Sequence, residues 1–251
     1  MTKEVIMKVH YIMPMAGRGS RFHREGYDFP KPLIKIYGKP FFYWATQSVG
    51  KYVDLASLDF VVLKEHIEKF DIHTEIKKYF PEAEIHVLPD VTEGAVITCM
   101  KGVEDICDDS PIIFNDCDHL FKCSRFNEFC NKEYNNSIDG ILLTFDSNED
   151  KYSFVEKDAE GRVLRTAEKE VISNEAICGC YYFRNKELFI QSAEEYLTRC
   201  NYSEYFMSGV YNILIEKKLC VKSMLTDFHV SFGVPEEYEV AQKDKNYEVL
   251  E

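Results

Sequence analysis

Val5-Ile6-Met7-Lys8-Val9-His10-Tyr11-Ile12-Met13-Pro14-Met15-Ala16-Gly17-Arg18-Gly19-Ser20-Arg21 decides the fold. The apolar run from Val5 to Met13 predicts a buried strand, and Lys8 and His10 interrupt it well short of the ~18 apolar residues that a membrane helix needs. A glycine-rich loop follows at once from Gly17. A strand that empties into such a loop is how an open α/β sheet begins, with its ligand crevice at the strand's carboxyl end.

Outward from that start, strand and helix alternate. A short strand is predicted at Leu33–Ile36 and a helix after Pro40, which suits a first helical turn. Phe60–Leu63 then reads as a strand, Ile67–Tyr79 as a helix, Ile85–Leu88 as a strand, Gly94–Asp105 as a helix and Ile112–Asn115 as a strand ending in an acidic turn. This βαβ alternation predicts a Rossmann-like, mostly parallel sheet flanked by helices. Beyond it, strands near Ile138–Phe145, Tyr152–Glu156 and Ala176–Phe183 predict a small antiparallel extension, before helices at Lys186–Arg199 and Glu204–Lys217. Without repeats or linker-like stretches, residues 1–251 read as one domain, with a first half to about residue 135 and a second from about 136.

The chain carries 43 acidic and 30 basic side chains, a formal charge of −13, which argues against binding a nucleic acid polymer. An apolar fraction of 45% supplies a core and excludes disorder as the main state. Nine cysteines, an odd number without a framework, suit reduced thiols; neither a signal peptide nor a membrane span is expected, and a cytoplasmic location is. The apolar faces are accounted for by the core, which leaves a homo-oligomer open.

Charge is unevenly spread. From Gly17 to Lys39 six basic residues (Arg18, Arg21, Arg24, Lys31, Lys35, Lys39) face two acidic ones, Glu25 and Asp28, a local charge of +4 against −17 elsewhere. Consecutive N–H groups in the loop can hold an anion, and Pro30 and Pro32 restrict where Lys31 can reach. The loop lacks the Gly-Lys-Ser/Thr of a Walker A, and Phe22 stands where a dinucleotide fingerprint needs its third glycine. After the strand at Ile112–Asn115, Asp116 and Asp118 are two residues apart, so an extended backbone would point both carboxylates to one side, as suits Mg2+. Cys117, His119, Cys123 and Cys130 are the alternative, a zinc site, although none of their spacings is Cys-x2-Cys.

Together these residues resemble a known family. Met15-Ala16-Gly17-Arg18-Gly19-Ser20-Arg21, with Pro30-Lys31-Pro32 and Gly38-Lys39-Pro40, is similar to the signature of the sugar-phosphate nucleotidylyltransferases, the nucleoside-diphosphate-sugar pyrophosphorylases. The resemblance implies a glycosyltransferase-A type sheet whose loop, Met15 to Ser20, wraps an NTP, with Arg21 and Lys31 acting on the reacting phosphates. It also implies a metal on Asp118, Asp116 having a lesser role, and a nucleobase beside Glu93 and Gly94. Lys169, Asn174, Gly179 and Glu204 would belong to the acceptor region. Phe232-Gly233-Val234-Pro235-Glu236-Glu237-Tyr238 fits the family's closing segment, but Ser231 stands where many relatives have a second metal-binding aspartate, and Asp227 is a poorly spaced substitute. The implied reaction transfers an NMP group from an NTP, CTP among the candidates, to a phosphorylated sugar or similar small phosphate monoester for surface polysaccharide. A nucleotide-sugar glycosyltransferase using Asp116-Cys117-Asp118, and a non-catalytic nucleotide sensor, are the alternatives.

Overall fold

The computed structural model of the chain describes residues 8–132 and 137–250. The first three residues of the expected opening strand, and the expected boundary between halves near residue 135, lie outside the described residues.

The chain opens with β1 (Val9–Pro14), whose residues are nearly all buried, then α1 (Ser20–Arg24) and a 3-10 turn at Lys31–Leu33. A two-residue hairpin pair, β2 (Lys35–Ile36) and β3 (Lys39–Pro40), leads into α2 (Phe41–Gly50), with Pro40 as its N-cap. Next come β4 (Leu55–Leu63), α3 (Lys64–Phe70), α4 (Ile72–Tyr79), β5 (Glu84–Leu88), α5 (Ala95–Gly102) and β6 (Ile112–Asn115). The single helix expected over Ile67–Tyr79 is two, because Asp71 adopts a left-handed conformation, φ 54°, that an Asp tolerates and a helix does not. After β6 follow β7 (His119–Lys122), α6 (Ser124–Cys130), β8 (Gly140–Asp146), β9 (Ser153–Lys157), β10 (Val163–Glu168) and β11 (Glu175–Phe183). The chain closes with α7 (Lys186–Arg199), α8 (Met207–Glu216), β12 (Val221–Leu225), β13 (Phe228–Ser231) and α9 (Pro235–Ala241). The helix expected from Glu204 begins only at Met207. Its would-be first turn is held extended, as Tyr205 N–H donates to Glu93 O at 3.2 Å and Val96 N–H donates to Tyr205 O at 3.1 Å.

One mixed sheet runs through both halves in the order β10-β9-β11-β6-β1-β4-β5, with β8 on β11 and β12 on β8. β6, β1, β4 and β5 are parallel, while β11 is antiparallel to β6 and β8. The chain builds outward from β1 through β4 to β5, then returns to place β6 on the other side of β1. That reversal leaves a crevice outside the carboxyl ends of β1 and β6, where open α/β sheets bind ligands.

Both faces are covered. Ile12, Val61, Phe114 and Tyr211 pack with α5, α7 and α8 on one side; Tyr11, Phe42, Phe60 and Phe126 pack with α2, α4 and α6 on the other. A third cluster of Phe22, Phe41, Trp44 and Phe232 fastens the antiparallel ribbon β7–β13 to α2, with Phe41 and Phe232 centroids 4.5 Å apart. Burying each such ring contributes about 2 kcal/mol, enough to fix where the ribbon stands. The ribbon matters because one of its ends, where His119 pairs with Ser231, borders the crevice.

Candidate active site

The loop after β1 reaches the crevice through Gly19, which sits at φ 60°. A Cβ there would lie 3.1 Å from Lys31 Cβ, so glycine lets the Lys31 segment close against the loop. Lys31 begins its 3-10 turn after an extended Pro30 and places its ammonium 2.6 Å from Asp118 Oδ2. On the other side, β6 ends at buried Asn115, whose amide donates to Tyr11 Oη at 2.9 Å and Ala45 O at 3.0 Å. His119 Nε2 lies 3.0 Å from Asn115 Oδ1, which ties the two ends of the acidic turn together. Asp116 N–H donates to Gly179 O, and Phe232 N–H to Asp118 O, both at 2.9 Å.

Two glycines keep space around the carboxylates. A Cβ on Gly179, at φ 93°, would lie 2.7 Å from Asp116 Oδ2; one on Gly233 would lie 2.7 Å from Asp118 Oδ2. Any side chain at either position would press on a carboxylate.

The electrostatics separate the two aspartates. Burial pushes Asp118 up, but the Lys31 ammonium and then His119 outweigh it and hold the carboxyl below its ordinary value. Asp116 is pushed up to about 7 by burial and by its neighbour Asp118, with Lys31 opposing and Glu168 adding. Burial lowers His119 to about 4, and burial together with His119 lowers His229, so both imidazoles are neutral.

These groups line a cleft of about 400 Å³. Of the residues singled out from the sequence, Ser20, Arg21, Lys31, Asp116, Asp118 and Gly179 line it. Met15 and Ala16 are buried beneath the loop, whereas Gly17 and Arg18 are exposed. Gly94 has a different tight neighbour from the expected nucleobase: a Cβ there would lie 2.4 Å from Tyr205 N, and Ala95 is the residue that faces the cleft. Glu93 is exposed beside it. Lys169 is exposed, with its ammonium 4.6 Å from the centroid of Phe206, and its neighbour Glu168 lines the cleft. Asn174 donates to Asp146 Oδ1 at 3.1 Å at the foot of the extension, and Glu204 is exposed, so neither lies on the cleft wall. Asp227 is also elsewhere. The ribbon register pairs Ser231 with His119 and Phe228 with Lys122, which carries Asp227 to the far end. There its Oδ2 accepts from Ser124 Oγ at 2.6 Å and Ser124 N–H at 3.0 Å, at the start of α6.

Sequence reasoning passed over a group centred on Glu237. Its Oε1 accepts from Tyr152 Oη at 2.5 Å and pairs with Lys151 Nζ at 2.7 Å; its Oε2 accepts from Ser231 Oγ at 2.6 Å and Gly233 N–H at 3.0 Å. Burial raises the Glu237 carboxyl, and the hydrogen bonds from Lys151, Ser231 and Tyr152 more than reverse this. The signal available was Glu237 itself, a carboxylate inside the Gly233-Val234-Pro235-Glu236-Glu237 segment whose missing partner at position 231 drew attention to an aspartate rather than to a neighbouring glutamate.

The donor set around Asp116 and Asp118 fits Mg2+, which commonly takes one or two carboxylates and completes its shell with water and substrate phosphates. Among the described residues no three His, Cys, Asp or Glu side chains converge as a metal cage, and the thiols of Cys117, Cys123 and Cys130 are all pushed up by burial, against the thiolates that zinc requires. Among the described residues no helix is long and apolar enough to cross a membrane.

Comparison with known proteins agrees with this architecture. The chain is similar in fold to the nucleoside-diphosphate-sugar pyrophosphorylase of Vibrio cholerae RC9, at 24% identity over 93% of this chain and 100% of that one, with a TM-score of 0.76. It is also similar to the inositol-1-phosphate CTP transferase of T. maritima, at 15% identity over 96% of this chain and 97% of that one, with a TM-score of 0.74. No curated protein sequence matches the chain. The family model for nucleotidyl transferases matches residues 12–244, nearly the whole length, and the chain therefore belongs to the nucleotidyl transferase family.

Proposed function

We propose that the chain transfers an NMP group from an NTP to a phosphorylated sugar or similar small phosphate monoester and releases pyrophosphate. The observation that carries this reading is the Lys31–Asp118 pair, 2.6 Å apart at the switch point of the sheet, with Arg21 on the same cleft. A nucleotide and an acceptor phosphate bring many negative charges to one place, and catalysis of their reaction is mostly positioning and charge neutralisation. Asp118, with Asp116 beside it, would hold a Mg2+ ion, which would supply neutralisation of phosphate charge.

The remaining steps belong to side chains. An acceptor oxygen forms a bond to the α-phosphorus while the bond from that phosphorus to the bridging oxygen of pyrophosphate breaks. A phosphate monoester has a second pKa of about 6, so the acceptor arrives ionised and no base is needed. His119 and His229, both lowered first by burial, are weak bases, which accords with this. Lys31 holds Asp118 ionised and oriented, and Arg21 meets the departing pyrophosphate. The loop from Met15 to Ser20 receives the triphosphate, with Glu93 and Gly94 toward the base, and the acceptor side is the part of the cleft bordered by Gly179 and Glu168. CTP is the first nucleotide to test, supported by the CTP transferase likeness, and the product suits cytoplasmic supply of surface polysaccharide.

The test is to incubate the protein with Mg2+, each NTP and a panel of phosphate monoesters, and to measure pyrophosphate. Release that requires both substrates and falls by orders of magnitude in Asp118→Asn supports the assignment. Release of a nucleoside diphosphate from a nucleotide-sugar in its place, or nucleotide binding without turnover, refutes it.

A further inference from the structure

The acceptor end of the cleft has a chemistry that a neutral polyol does not explain. Among the described residues lining the cleft there is no Asn or Gln, the uncharged side chains that carry both a donor and an acceptor for hydroxyls. The wall is instead aromatic and acidic. Tyr181, Phe206 and Met207 line the cleft together with Glu168.

Of the carboxylates on the cleft, Asp118 is paired with Lys31 and Glu237 with Lys151. Glu168 has no ion-pair partner among the described residues. Its Oε2 is fixed by two hydroxyls, Ser208 Oγ at 2.9 Å and Ser153 Oγ. Oε1 has no partner and is not among the buried unpartnered atoms, so it opens to the cleft. A carboxylate held rigidly through one oxygen, with the other presented beside aromatic rings, is an arrangement that recognises an organic cation. The rings here already act as cation platforms: Lys169 Nζ lies 4.6 Å from the centroid of Phe206, and Lys151 Nζ 4.9 Å from that of Tyr152.

We propose that the acceptor is the phosphate monoester of an amino alcohol, whose protonated or quaternary ammonium group sits between Glu168 Oε1 and the rings of Tyr181 and Phe206. This rests on the transfer reading given above and narrows its substrate class. The ester's phosphate then lies toward Lys31 and the metal carboxylates, and its cation beside Glu168.

The test compares phosphocholine and O-phosphoethanolamine with glycerol 3-phosphate and glucose 1-phosphate in the pyrophosphate assay, in the wild type and in Glu168→Gln. The cationic esters are expected to exceed the neutral ones in kcat/KM by about 10-fold or more, and Glu168→Gln to close that gap mainly through KM. Neutral esters turned over equally well or better by the wild type overturn the cation site and leave nucleotidyl transfer standing. No pyrophosphate with any acceptor overturns the transfer reading and this inference with it.

Discussion

Lys31→Met keeps the length of the side chain and removes the charge that stands 2.6 Å from Asp118 Oδ2. The two side chains are 26% and 23% exposed, so the pair is largely but not wholly out of water. At 2.6 Å and an effective dielectric of about 20 the direct attraction is about 6 kcal/mol, most of it offset by the cost of dehydrating the two charges. Stranding one partner of a fully buried pair costs about 3–5 kcal/mol; water reaching a quarter of this one brings the expected loss to about 2 kcal/mol.

The pH dependence discriminates further. Asp116 titrates in the folded protein at about 7, above the ordinary 3.8, so the wild type loses stability as pH rises from about 4 to about 7. Asp118 is shifted the other way and contributes stability above its ordinary pKa that is lost as pH falls. Without Lys31 burial prevails at both carboxyls, and the gap between wild type and variant must widen as pH rises. Urea unfolding from pH 4 to 9 at equal m-values reads this directly, beside a pyrophosphate rate expected to fall about 10²- to 10³-fold. A gap independent of pH, or one that narrows toward pH 8, would show that Lys31 is not the counterion of this pair.

Asp118→Asn should weaken nucleotide binding in Mg2+ by about 10-fold or more yet leave it unchanged or tighter in EDTA, as measured by calorimetry; equal weakening in both buffers would exclude a metal role. Asp227→Ala removes the side-chain acceptor from the start of α6 and should cost about 1 kcal/mol in unfolding experiments without altering turnover. A lost turnover would return Asp227 to the metal site. His86 is raised above its ordinary 6.5, first by its hydrogen bond to Asp59. The stability it adds is complete below pH 6.5 and disappears as pH rises through the folded value, so His86→Gln should flatten the stability curve in that window.

The sequence made the core of the architecture legible because its signal is local. Periodicity from β1 to β6 and the loop after β1 need only neighbouring residues, and they place the switch point. The ribbon β7–β13 was invisible for the opposite reason: it pairs four residues at positions 119–122 with four at 228–231, and strands that short carry no periodic signature. Asp71 and Tyr205 illustrate a second limit. Each interrupts a helical pattern through a backbone conformation or a long-range bond that no spacing reveals.

On the acceptor side, Gly179 lines the cleft as singled out, and beside Lys169 it is the preceding residue, Glu168, that does. In a strand, adjacent side chains point to opposite faces, so reading Ala167-Glu168-Lys169 one residue off exchanges a cleft-facing group for an exposed one. β10 ends at Glu168, and Lys169 follows at φ 54°.

The basic island from Gly17 to Lys39 needs the same distinction between sequence and space. Arg24 donates back to Ser20 O, Lys35 lies 3.9 Å from Glu75, and Lys39 stands over the rings of Tyr43 and Tyr79. Only Arg21 and Lys31 of the six reach the cleft wall, where with Lys151 they face the carboxyl groups of Asp116, Asp118, Glu168 and Glu237. Three cations against four carboxyl groups cannot hold a triphosphate by charge alone. On the proposed reading the cleft is completed from outside, by a divalent cation at the aspartates and by a positive group on the acceptor at Glu168. An acidic protein would then handle phosphates because its carboxylates recruit the positive charge that its sequence does not supply.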